Sequence, residues 1–302
     1  MNREELKLLQ NYPLWIKVEK TKRRIIEWVD YYGIEGVYVS FSGGKDSTVL
    51  LHLARQIYPN IKAVFIDTGL EYPQIKEFVK TFDNVDIIRP KLSFREVLNK
   101  YGYPVISKEQ SQFIYQYRNT KSEKLKKIRL EGNDYGRGKI SKKWLYMLDA
   151  PFKISNQCCD VMKKNPAKSY EKKNNVVPII ATLAEESLLR TTHYLKNGCN
   201  AFNSTRPRST PLSFWTNQDI LRYIKENNIK IASVYGDIID VEGKLETTEC
   251  KRTGCIYCAY GSHLEKSPNR FERLKITNPN LYKYCMDNLG MREVLDYMNI
   301  KY

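Results

Sequence analysis

Residues 42–47 of this 302-residue chain, Ser-Gly-Gly-Lys-Asp-Ser, combine residue types that bind phosphate. Lys45 supplies a mobile positive charge, and Ser42 and Ser47 supply hydroxyl donors. A carboxylate beside a phosphate is repelled unless a cation lies between them. Asp46 is therefore interpreted as a helix-start residue and as a candidate Mg²⁺ ligand.

The flanking sequence predicts that residues 42–47 form a strand-to-helix turn. Apart from Ser40, residues 37–41 are β-branched or aromatic, as in a strand, and the apolar residues from Thr48 onward recur at helical spacing. Gly43 and Gly44 allow backbone N–H groups to converge on an anion at the positive end of the helix dipole. The alternative is a glycine turn that holds no ligand.

A second predicted strand, residues 62–67, leads into Asp67, Thr68 and Gly69, and a third strand is predicted at 85–89. Loops at the carboxyl ends of neighbouring parallel strands share one crevice, so these three residues are candidate contacts to a ribose or base edge. The alternation of strands and helices predicts an α/β fold with a doubly wound parallel sheet.

Four of the seven cysteines have the spacing of metal ligands, because Cys158 and Cys159 are adjacent and Cys255 and Cys258 form a C-x-x-C pair. Four thiolates suit an iron-sulfur cluster or a tetrahedral zinc site. Lys163 follows the first pair closely, and such a cation lowers thiolate pKa and offsets cluster charge. Buried cysteines without a ligand are the alternative.

No run of residues approaches the roughly 18 apolar positions of a membrane span, and the polar start MNREELKLLQ is unlike a signal peptide. We therefore expect a cytoplasmic protein with no membrane partner. In that compartment, cysteines serve metal binding or catalysis more often than disulfides. The roles of Cys199, Cys250 and Cys285 stay open, as does the oligomeric state.

The positive charge is concentrated in one segment. The formal net charge is +16, and residues 118–143 contain ten Lys or Arg against three acids. Over the wider stretch 108–149, basic residues are interleaved with the aromatic residues Tyr115, Tyr117, Tyr135, Trp144 and Tyr146. This composition is typical of a surface that follows a nucleic-acid backbone. A solvated helical face with a half-buried aromatic stripe has the same composition.

The patterns divide the chain into three consecutive segments. Residues 1–36 are predicted to form N-terminal helices, one of them at 14–32. Residues 37–240 are predicted to form the nucleotide-binding domain, with a helical basic insertion at about 108–149. Residues 241–302, rich in cysteine and poor in periodic pattern, are predicted to form a C-terminal segment packed on the core.

The sequence of residues 42–47 resembles the PP-loop of the ATP pyrophosphatase superfamily, and its glycine spacing differs from that of the Walker P-loop. The resemblance implies that an adenine nucleotide, here ATP with Mg²⁺, is cleaved between its α and β phosphates. It also implies that Lys45 and Asp46 are catalytic residues.

A wider resemblance, over about residues 37–260, is to the phosphoadenosine phosphosulfate reductase family. Besides the four cysteines, it is carried by Glu186-Ser187-x-x-Arg190 and by Pro211-Leu212-x-x-Trp215-x-x-x-Asp219. The paired cysteines match the branch in which four cysteines ligate a 4Fe-4S cluster. The resemblance implies that Lys163 lies between cluster and nucleotide and that Arg190 is a further catalytic residue.

The chain also departs from that family. The reductases use a nucleophilic cysteine in a C-terminal Glu-Cys-Gly-x-His segment, which this sequence lacks. Ala181-Thr182-Leu183 stand where the family has an arginine in a Gly-x-Arg stretch. The reductases often have a degraded PP-loop, whereas Lys45 and Asp46 are retained here, and an intact loop favours ATP.

Three hypotheses follow. The preferred one is a 4Fe-4S ATP pyrophosphatase that activates or thiolates an acceptor, with a nucleic acid at residues 118–143 as candidate acceptor and a sulfur-donor protein as candidate partner. The second is a sulfonucleotide reductase whose nucleophile is Cys199, Cys250 or Cys285. The third is a nucleotide-gated nucleic-acid-binding regulator without turnover. Zinc in place of the cluster stays open.

Overall fold

The computed structural model of this chain describes residues 2–302. Its helices in chain order are α1 (Arg3–Gln10), α2 (Leu14–Tyr32), α3 (Lys45–Ile57), α4 (Pro73–Val79), α5 (Phe94–Tyr101), α6 (Lys108–Asn119), α7 (Glu123–Glu131), α8 (Asn165–Asn174), α9 (Leu188–Asn197), α10 (Asn217–Glu226), α11 (Arg270–Thr277), α12 (Pro279–Lys283) and α13 (Met291–Tyr297). Its strands are β1 (Val37–Ser40), β2 (Ala63–Ile66), β3 (Val85–Ile88), β4 (Val105–Ile106), β5 (Val177–Ile180), β6 (Asn200–Ala201), β7 (Arg208–Ser209), β8 (Ile238–Val241), β9 (Lys244–Thr247) and β10 (Ala259–Tyr260). Among these residues no helix is both long and apolar enough to cross a bilayer.

Shorter helical turns complete the described structure. The 3₁₀ turns are Ile34–Gly36, Lys142–Asp149, Ala184–Glu186, Ser233–Tyr235 and Ser262–Leu264, and the π turns are Asp160–Lys164 and Tyr284–Asn288.

The described residues form two compact units that interleave along the chain. The sheet unit comprises the chain up to Asp67 together with Glu71–Arg89 and Ala167–Thr253. The cysteine unit comprises Thr68–Leu70, Pro90–Pro166 and Gly254–Tyr302. The sequence predicted three consecutive segments, whose boundaries were placed where the local residue pattern changes. The two units are defined differently, by packing between distant parts of the chain.

Within residues 2–302, the sheet unit contains a six-stranded sheet with the order β3-β2-β1-β5-β7-β6. β1 pairs in parallel with β2 and β5, β2 pairs in parallel with β3, and β7 and β6 are antiparallel. The chain runs outward from β1 to β3 and then resumes on the other side of β1 with β5. This is the predicted doubly wound α/β fold, with its topological switch point beside β1.

The elements that carry the glycine-rich turn are held by apolar burial. Val37 and Val39 of β1 are at most 2% exposed, and Leu50 and Leu53 of α3 are fully buried. Strands β1, β2 and β3 agree with the predictions at 37–41, 62–67 and 85–89 to within one residue at each end, and α2 has the predicted bounds. A strand and a helix with buried side chains therefore fix the turn between them.

A buried ion pair joins α2 to α10. The Lys17 ammonium, whose residue is 1% exposed, lies 2.6 Å from Asp219 Oδ2 and also donates to the Gln10 carbonyl. Asp219 completes a reciprocal cap with Thr216 at the start of α10. The carboxylate therefore serves as both a helix cap and a counterion.

The cysteine unit combines the helical insertion with the last helices of the chain. Tyr103 donates a hydrogen bond to the Leu289 carbonyl at 2.8 Å, and the rings of Phe152 and Tyr297 meet edge to face at 5.6 Å. Helices α11, α12 and α13 were not predicted. They contain eight residues or fewer, so a helical period has about two turns in which to show itself.

Candidate functional site

The glycine-rich loop, residues 42–47, leaves β1 at the switch point of the sheet and enters α3. Gly43 has a φ of +70°, and a Cβ at this position would lie 2.8 Å from a methyl group of Ile75 and of Val79. Both the left-handed backbone and the close packing require glycine here. Gly44 is the N-cap of α3 and no side chain caps this helix. Its first N–H groups therefore depend on other partners.

The two loop serines contact each other across the turn. Their Oγ atoms are 3.0 Å apart, and the Ser47 hydroxyl donates to the Gly44 carbonyl at 2.9 Å. The Gly44 N–H in turn donates to Ser42 Oγ at a longer 3.3 Å. The structure thus brings both predicted hydroxyls and the second glycine together, in contacts that a phosphate oxygen could replace.

Lys45 and Asp46 form an ion pair at the start of α3. Lys45 is 5% exposed, and its Nζ lies 2.9 Å from Asp46 Oδ1. Within residues 2–302 no group of three or more His, Cys, Asp or Glu is arranged to hold a metal ion. Asp46 fits Mg²⁺ as a single protein ligand, because Mg²⁺ is commonly held by one or two carboxylates together with nucleotide phosphates and water.

Tyr235 contacts the loop, although nothing in the sequence pattern indicated it. Its side chain is buried, and its hydroxyl accepts a hydrogen bond from the Lys45 N–H at 3.2 Å. The same hydroxyl lies 2.7 Å from Thr253 Oγ1. Burial raises the pKa of Tyr235 to about 12, so the hydroxyl is protonated at neutral pH. Tyr235 is separated from Lys45 by 190 positions, too far for any local pattern to connect them.

Arg190 and Arg252 form ion pairs with the same carboxylate, that of Glu186. Burial and the neighbouring charge of Arg252 lower the pKa of Arg190, whereas Asp46 acts in the opposite sense. Arg190 therefore lies within electrostatic range of the loop. Two guanidinium groups on one carboxylate leave a net positive charge, which suits phosphate recognition.

The residues predicted at the end of β2 have partners of their own. The Asp67 carboxylate binds Lys76 Nζ at 2.6 Å and Arg89 Nε at 3.2 Å. Thr68 is buried, and its hydroxyl oxygen accepts a backbone N–H from two residues ahead at 3.2 Å. Gly69 has a left-handed φ of +76°. Their contact with a ribose or base stays a prediction.

In the cysteine unit, the four predicted metal ligands influence one another electrostatically. Burial raises the pKa of the Cys158 thiol, the charges of Cys159, Cys255 and Cys258 raise it further, and Lys163 lowers it. The pKa of Cys258 is raised to about 12, mainly by burial and, to a smaller extent, by the charge of Cys255. No disulfide joins cysteines in the described part of the chain. The donor set and its proximity fit an iron-sulfur or zinc group, although the thiols are not arranged as a closed ligand set.

Lysines surround Asp160, which directly follows the first cysteine pair. Its Oδ1 accepts a hydrogen bond from Lys164 at 2.8 Å and from Lys108 at 3.2 Å. Burial alone would raise the pKa of Asp160, but these two ammonium groups hold it below its usual value. No local pattern indicated Lys108, which reaches this position from α6.

Two of the remaining cysteines are inert in this structure. Cys199 and Cys285 are buried, and burial raises the pKa of each to about 12. They are therefore thiols at neutral pH and poor nucleophiles. Cys250 is partly exposed, and its Sγ donates to the Arg252 carbonyl at 2.8 Å.

The basic segment, residues 118–143, uses part of its charge internally. Arg118 donates to two backbone carbonyls at 2.9 and 3.0 Å. Arg129 donates to the Gly138 carbonyl and lies over the Phe113 ring at 4.3 Å. The exposed cations of this segment whose side chains have no hydrogen bond or ion pair within residues 2–302 are Lys121, Lys124, Arg137, Lys139, Lys142 and Lys143.

A glycine-rich loop that meets a helix start at the switch point of a parallel sheet, with a buried lysine and arginines nearby, is the geometry by which α/β proteins typically bind phosphate groups. The sequence model of the phosphoadenosine phosphosulfate reductase domain matches residues 36–129 and 105–260. The chain belongs to this family.

Two individual relatives share about a quarter of their aligned residues with this chain, at 27% and 25% identity. An uncharacterized protein of Methanocaldococcus jannaschii is 27% identical over 286 residues, which are 90% of this chain and 53% of that protein. This chain therefore spans about half the length of that relative. The adenosine 5'-phosphosulfate reductase of Geobacillus kaustophilus is 25% identical over 231 residues, 72% of this chain and 79% of that protein. Among solved structures, phosphoadenylyl-sulfate reductase from Candida auris, in a phosphate complex, covers 81% of this chain and 98% of its own, with a TM-score of 0.41 and 16% identity.

Proposed function

We propose that this member of the family is an ATP pyrophosphatase that activates or thiolates an acceptor. The observation that carries the proposal is the complete loop at residues 42–47, with Lys45 buried beside Asp46 at a helix start. A loop that had lost its lysine would lack the charge that offsets a triphosphate, and one that had lost its carboxylate would lack the ligand for Mg²⁺. An acceptor atom would attack the α phosphorus, the α–β bond would break, and pyrophosphate would leave.

The residues of the sheet unit support this chemistry in separate ways. Backbone N–H groups at Gly43 and Gly44, with the hydroxyls of Ser42 and Ser47, would orient the phosphates. The Lys45 ammonium would offset their charge. Mg²⁺ held at Asp46 would add Lewis-acid stabilisation of the phosphate oxygens.

The arginines have a complementary role. Arg190 and Arg252 share the Glu186 carboxylate, and their surplus positive charge would stabilise the leaving pyrophosphate. Asp67, Thr68 and Gly69 would contact the nucleoside, as expected for the neighbouring loop of an α/β crevice.

A 4Fe-4S cluster held by Cys158, Cys159, Cys255 and Cys258 is the second part of the proposal. The proximity of the four cysteines supports it, since the other three raise the pKa of Cys158, and zinc is the alternative occupant. Lys163, whose charge acts on Cys158, would offset the negative charge of the group. The cluster would supply sulfur or redox chemistry, or hold the C-terminal segment.

A nucleic acid is the proposed acceptor, with a sulfur-donor protein as a further partner. The exposed cations of the basic segment support a polyanion at that surface. A nucleotide-gated regulator without turnover would use the same surface and would release no pyrophosphate.

A sulfonucleotide reductase is the second candidate function, favoured by the similarity to the Geobacillus kaustophilus enzyme. Its nucleophile would have to be a reactive thiol. Burial keeps Cys199 and Cys285 protonated, which leaves Cys250 from the three cysteines considered for that role.

One experiment distinguishes these functions. Anaerobically purified protein is incubated separately with ATP, adenylylsulfate and phosphoadenylylsulfate, with and without single-stranded oligonucleotide. A dithiol reductant is present throughout, because the release of sulfite from a sulfonucleotide is a two-electron reduction. Pyrophosphate from ATP, abolished in Lys45→Ala, supports the proposal. Sulfite from either sulfonucleotide identifies a reductase, and neither product with retained ATP binding identifies a regulator.

A further inference from the structure

A cavity of about 520 Å³ lies within the cysteine unit, at the end of the basic segment. Lys143, Trp144 and Tyr146 line it together with residues between 262 and 301. We call it the Trp144 pocket. Its volume is in the range of small-molecule sites, roughly 300 to 1,000 Å³. The loop chemistry described above does not use it.

Aromatic rings form the apolar part of the Trp144 pocket. Trp144 meets the His263 ring edge to face at 4.9 Å, and the rings of Tyr146 and Tyr297 are 5.6 Å apart. The Tyr297 hydroxyl donates to the Tyr146 carbonyl at 3.1 Å, which holds these two residues together. Tyr146 nevertheless leaves 41% of its surface exposed. A planar ligand could therefore stack on a ring that is already positioned.

One residue of the lining, His263, has a polar atom without a partner. Its Nδ1 is buried and has no hydrogen bond within residues 2–302. An unsatisfied buried polar group is destabilising, so a ligand that reached it would gain a hydrogen bond. The pKa of His263 is lowered mainly by burial and, to a smaller extent, by the charge of Lys143. A neutral imidazole can donate to or accept from the edge of a heterocycle.

The charges at the pocket favour a ligand that carries phosphate. Lys143 and Lys301 are exposed cations on its lining, and Lys143 Nζ lies 5.0 Å from the centre of the Trp144 ring. The carboxylates on the lining are already bonded. Glu265 pairs with Arg270, and Glu272 accepts hydrogen bonds from the Asn269 N–H and the Ser267 hydroxyl.

We propose that the Trp144 pocket receives one unstacked base of a single-stranded nucleic acid whose phosphates follow the basic segment. Aromatic stacking, a polar group for the base edge and cations for the flanking phosphates are the features by which proteins bind splayed bases. The proposal rests on the proposed function in one respect, namely that the acceptor is a nucleic acid.

The test uses short single-stranded DNA and RNA oligonucleotides that contain one 2-aminopurine, together with free 2-aminopurine nucleotide, in the absence of ATP. Stacking in the pocket should quench the fluorescence of the oligonucleotides at concentrations where the free nucleotide does not bind. Tyr146→Ala should weaken oligonucleotide binding roughly 5- to 100-fold, the loss expected for one base–aromatic stack. Tyr146→Phe keeps the ring and should restore binding.

His263→Ala provides a second, independent variant, because it removes the unpartnered Nδ1 without removing an aromatic stack from Tyr146. It should also weaken binding. Trp15→Ala is the matched control, because Trp15 is an aromatic residue of the sheet unit that is 69% exposed. It should bind like the wild type. Circular dichroism of each variant checks that it is folded.

The outcomes separate this proposal from the proposed function. Wild-type protein that binds no oligonucleotide overturns the pocket, even if it releases pyrophosphate from ATP. Equal binding by wild type, Tyr146→Ala and His263→Ala also overturns the pocket but leaves the nucleic-acid acceptor standing. Ring-dependent binding in a protein that releases no pyrophosphate supports the pocket and contradicts the pyrophosphatase.

Discussion

The hydroxyl of Tyr235 accepts a hydrogen bond from the Lys45 N–H, with 3.2 Å between oxygen and nitrogen. Tyr235→Phe keeps the ring and removes this acceptor, and Thr253 also loses a partner. We expect the free energy of unfolding to fall by about 1–3 kcal/mol, the usual cost of unsatisfied buried polar groups. Urea denaturation measures it. Tyr135→Phe, at a residue that is 85% exposed, is the control. Equal stability of both variants would show that the contact is dispensable.

Gly43→Ala should destabilise the protein more than Gly33→Ala. Both glycines have positive φ, +70° and +77°, but only at Gly43 would a Cβ meet other atoms, at 2.8 Å. The shared backbone strain costs about 1–2 kcal/mol, and overpacking at Gly43 adds about 1–3 kcal/mol. Thermal and urea unfolding of the pair measure the difference. A smaller effect at Gly43 would mean that Ile75 and Val79 move aside at little cost.

Lys45→Ala should weaken ATP binding by about 1.5–3 kcal/mol, the usual range for a charge-assisted hydrogen bond. Isothermal titration calorimetry of wild type and variant measures this difference. Lys80→Ala removes an equal charge from an exposed position of the same unit and should leave the affinity unchanged. Equal ATP affinity in wild type and Lys45→Ala would remove Lys45 from the site.

Anaerobically purified protein should be brown, with visible charge-transfer absorbance from iron–thiolate bonds. Serine at Cys158, Cys159, Cys255 or Cys258 should remove iron and colour. Cys285→Ala, a control at a buried cysteine outside the set, should keep both. Colourless wild-type protein with one zinc per chain would identify a zinc site instead. Cys250 is tested next if one of the four variants keeps its iron.

Nucleic-acid binding should weaken steeply with salt, because each neutralised phosphate releases counterions. Replacing Lys124, Lys139 and Lys142 with alanine should flatten the log–log slope by roughly 0.7–0.9 for each lost contact. Filter binding or fluorescence anisotropy between about 50 and 200 mM salt measures the slope.

Arg129→Ala is the informative contrast to that triple variant. Arg129 is one of the ten cations of the basic segment. However, its guanidinium binds the Gly138 carbonyl and stacks on Phe113. We therefore expect lower stability and an unchanged salt slope. A flattened slope in Arg129→Ala alone would contradict this assignment.

The parts of the fold that were predicted correctly are those with a local signal. Buried strands such as β1 are rich in β-branched and aromatic residues, and the amphipathic helix α2 repeats its apolar positions over 19 residues. The glycine-rich loop was recognisable because its glycines, lysine and hydroxyls are consecutive. Helices α11 to α13 were missed because each is too short for a period to be distinguished from chance.

The contacts that complete the site could not be predicted, because they join positions far apart in the chain. Tyr235 reaches Lys45 across 190 positions, and Arg252 reaches Glu186 across 66. Tyrosine and arginine are common residues whose role depends on such packing. The charge count of the basic segment likewise did not reveal which cations are bonded internally.

The buried ion pair of Lys17 and Asp219 limits which substitutions this sequence can accept during evolution. Neutralising either residue leaves the other as an unpaired buried charge, at a cost of about 3–5 kcal/mol. That is a large part of the roughly 5–15 kcal/mol by which a domain is stable. Replacing both with apolar residues of similar volume removes the charges together, and such exchanges are often neutral. We expect natural relatives to retain both residues or to have replaced both, so that positions 17 and 219 are inherited as a pair.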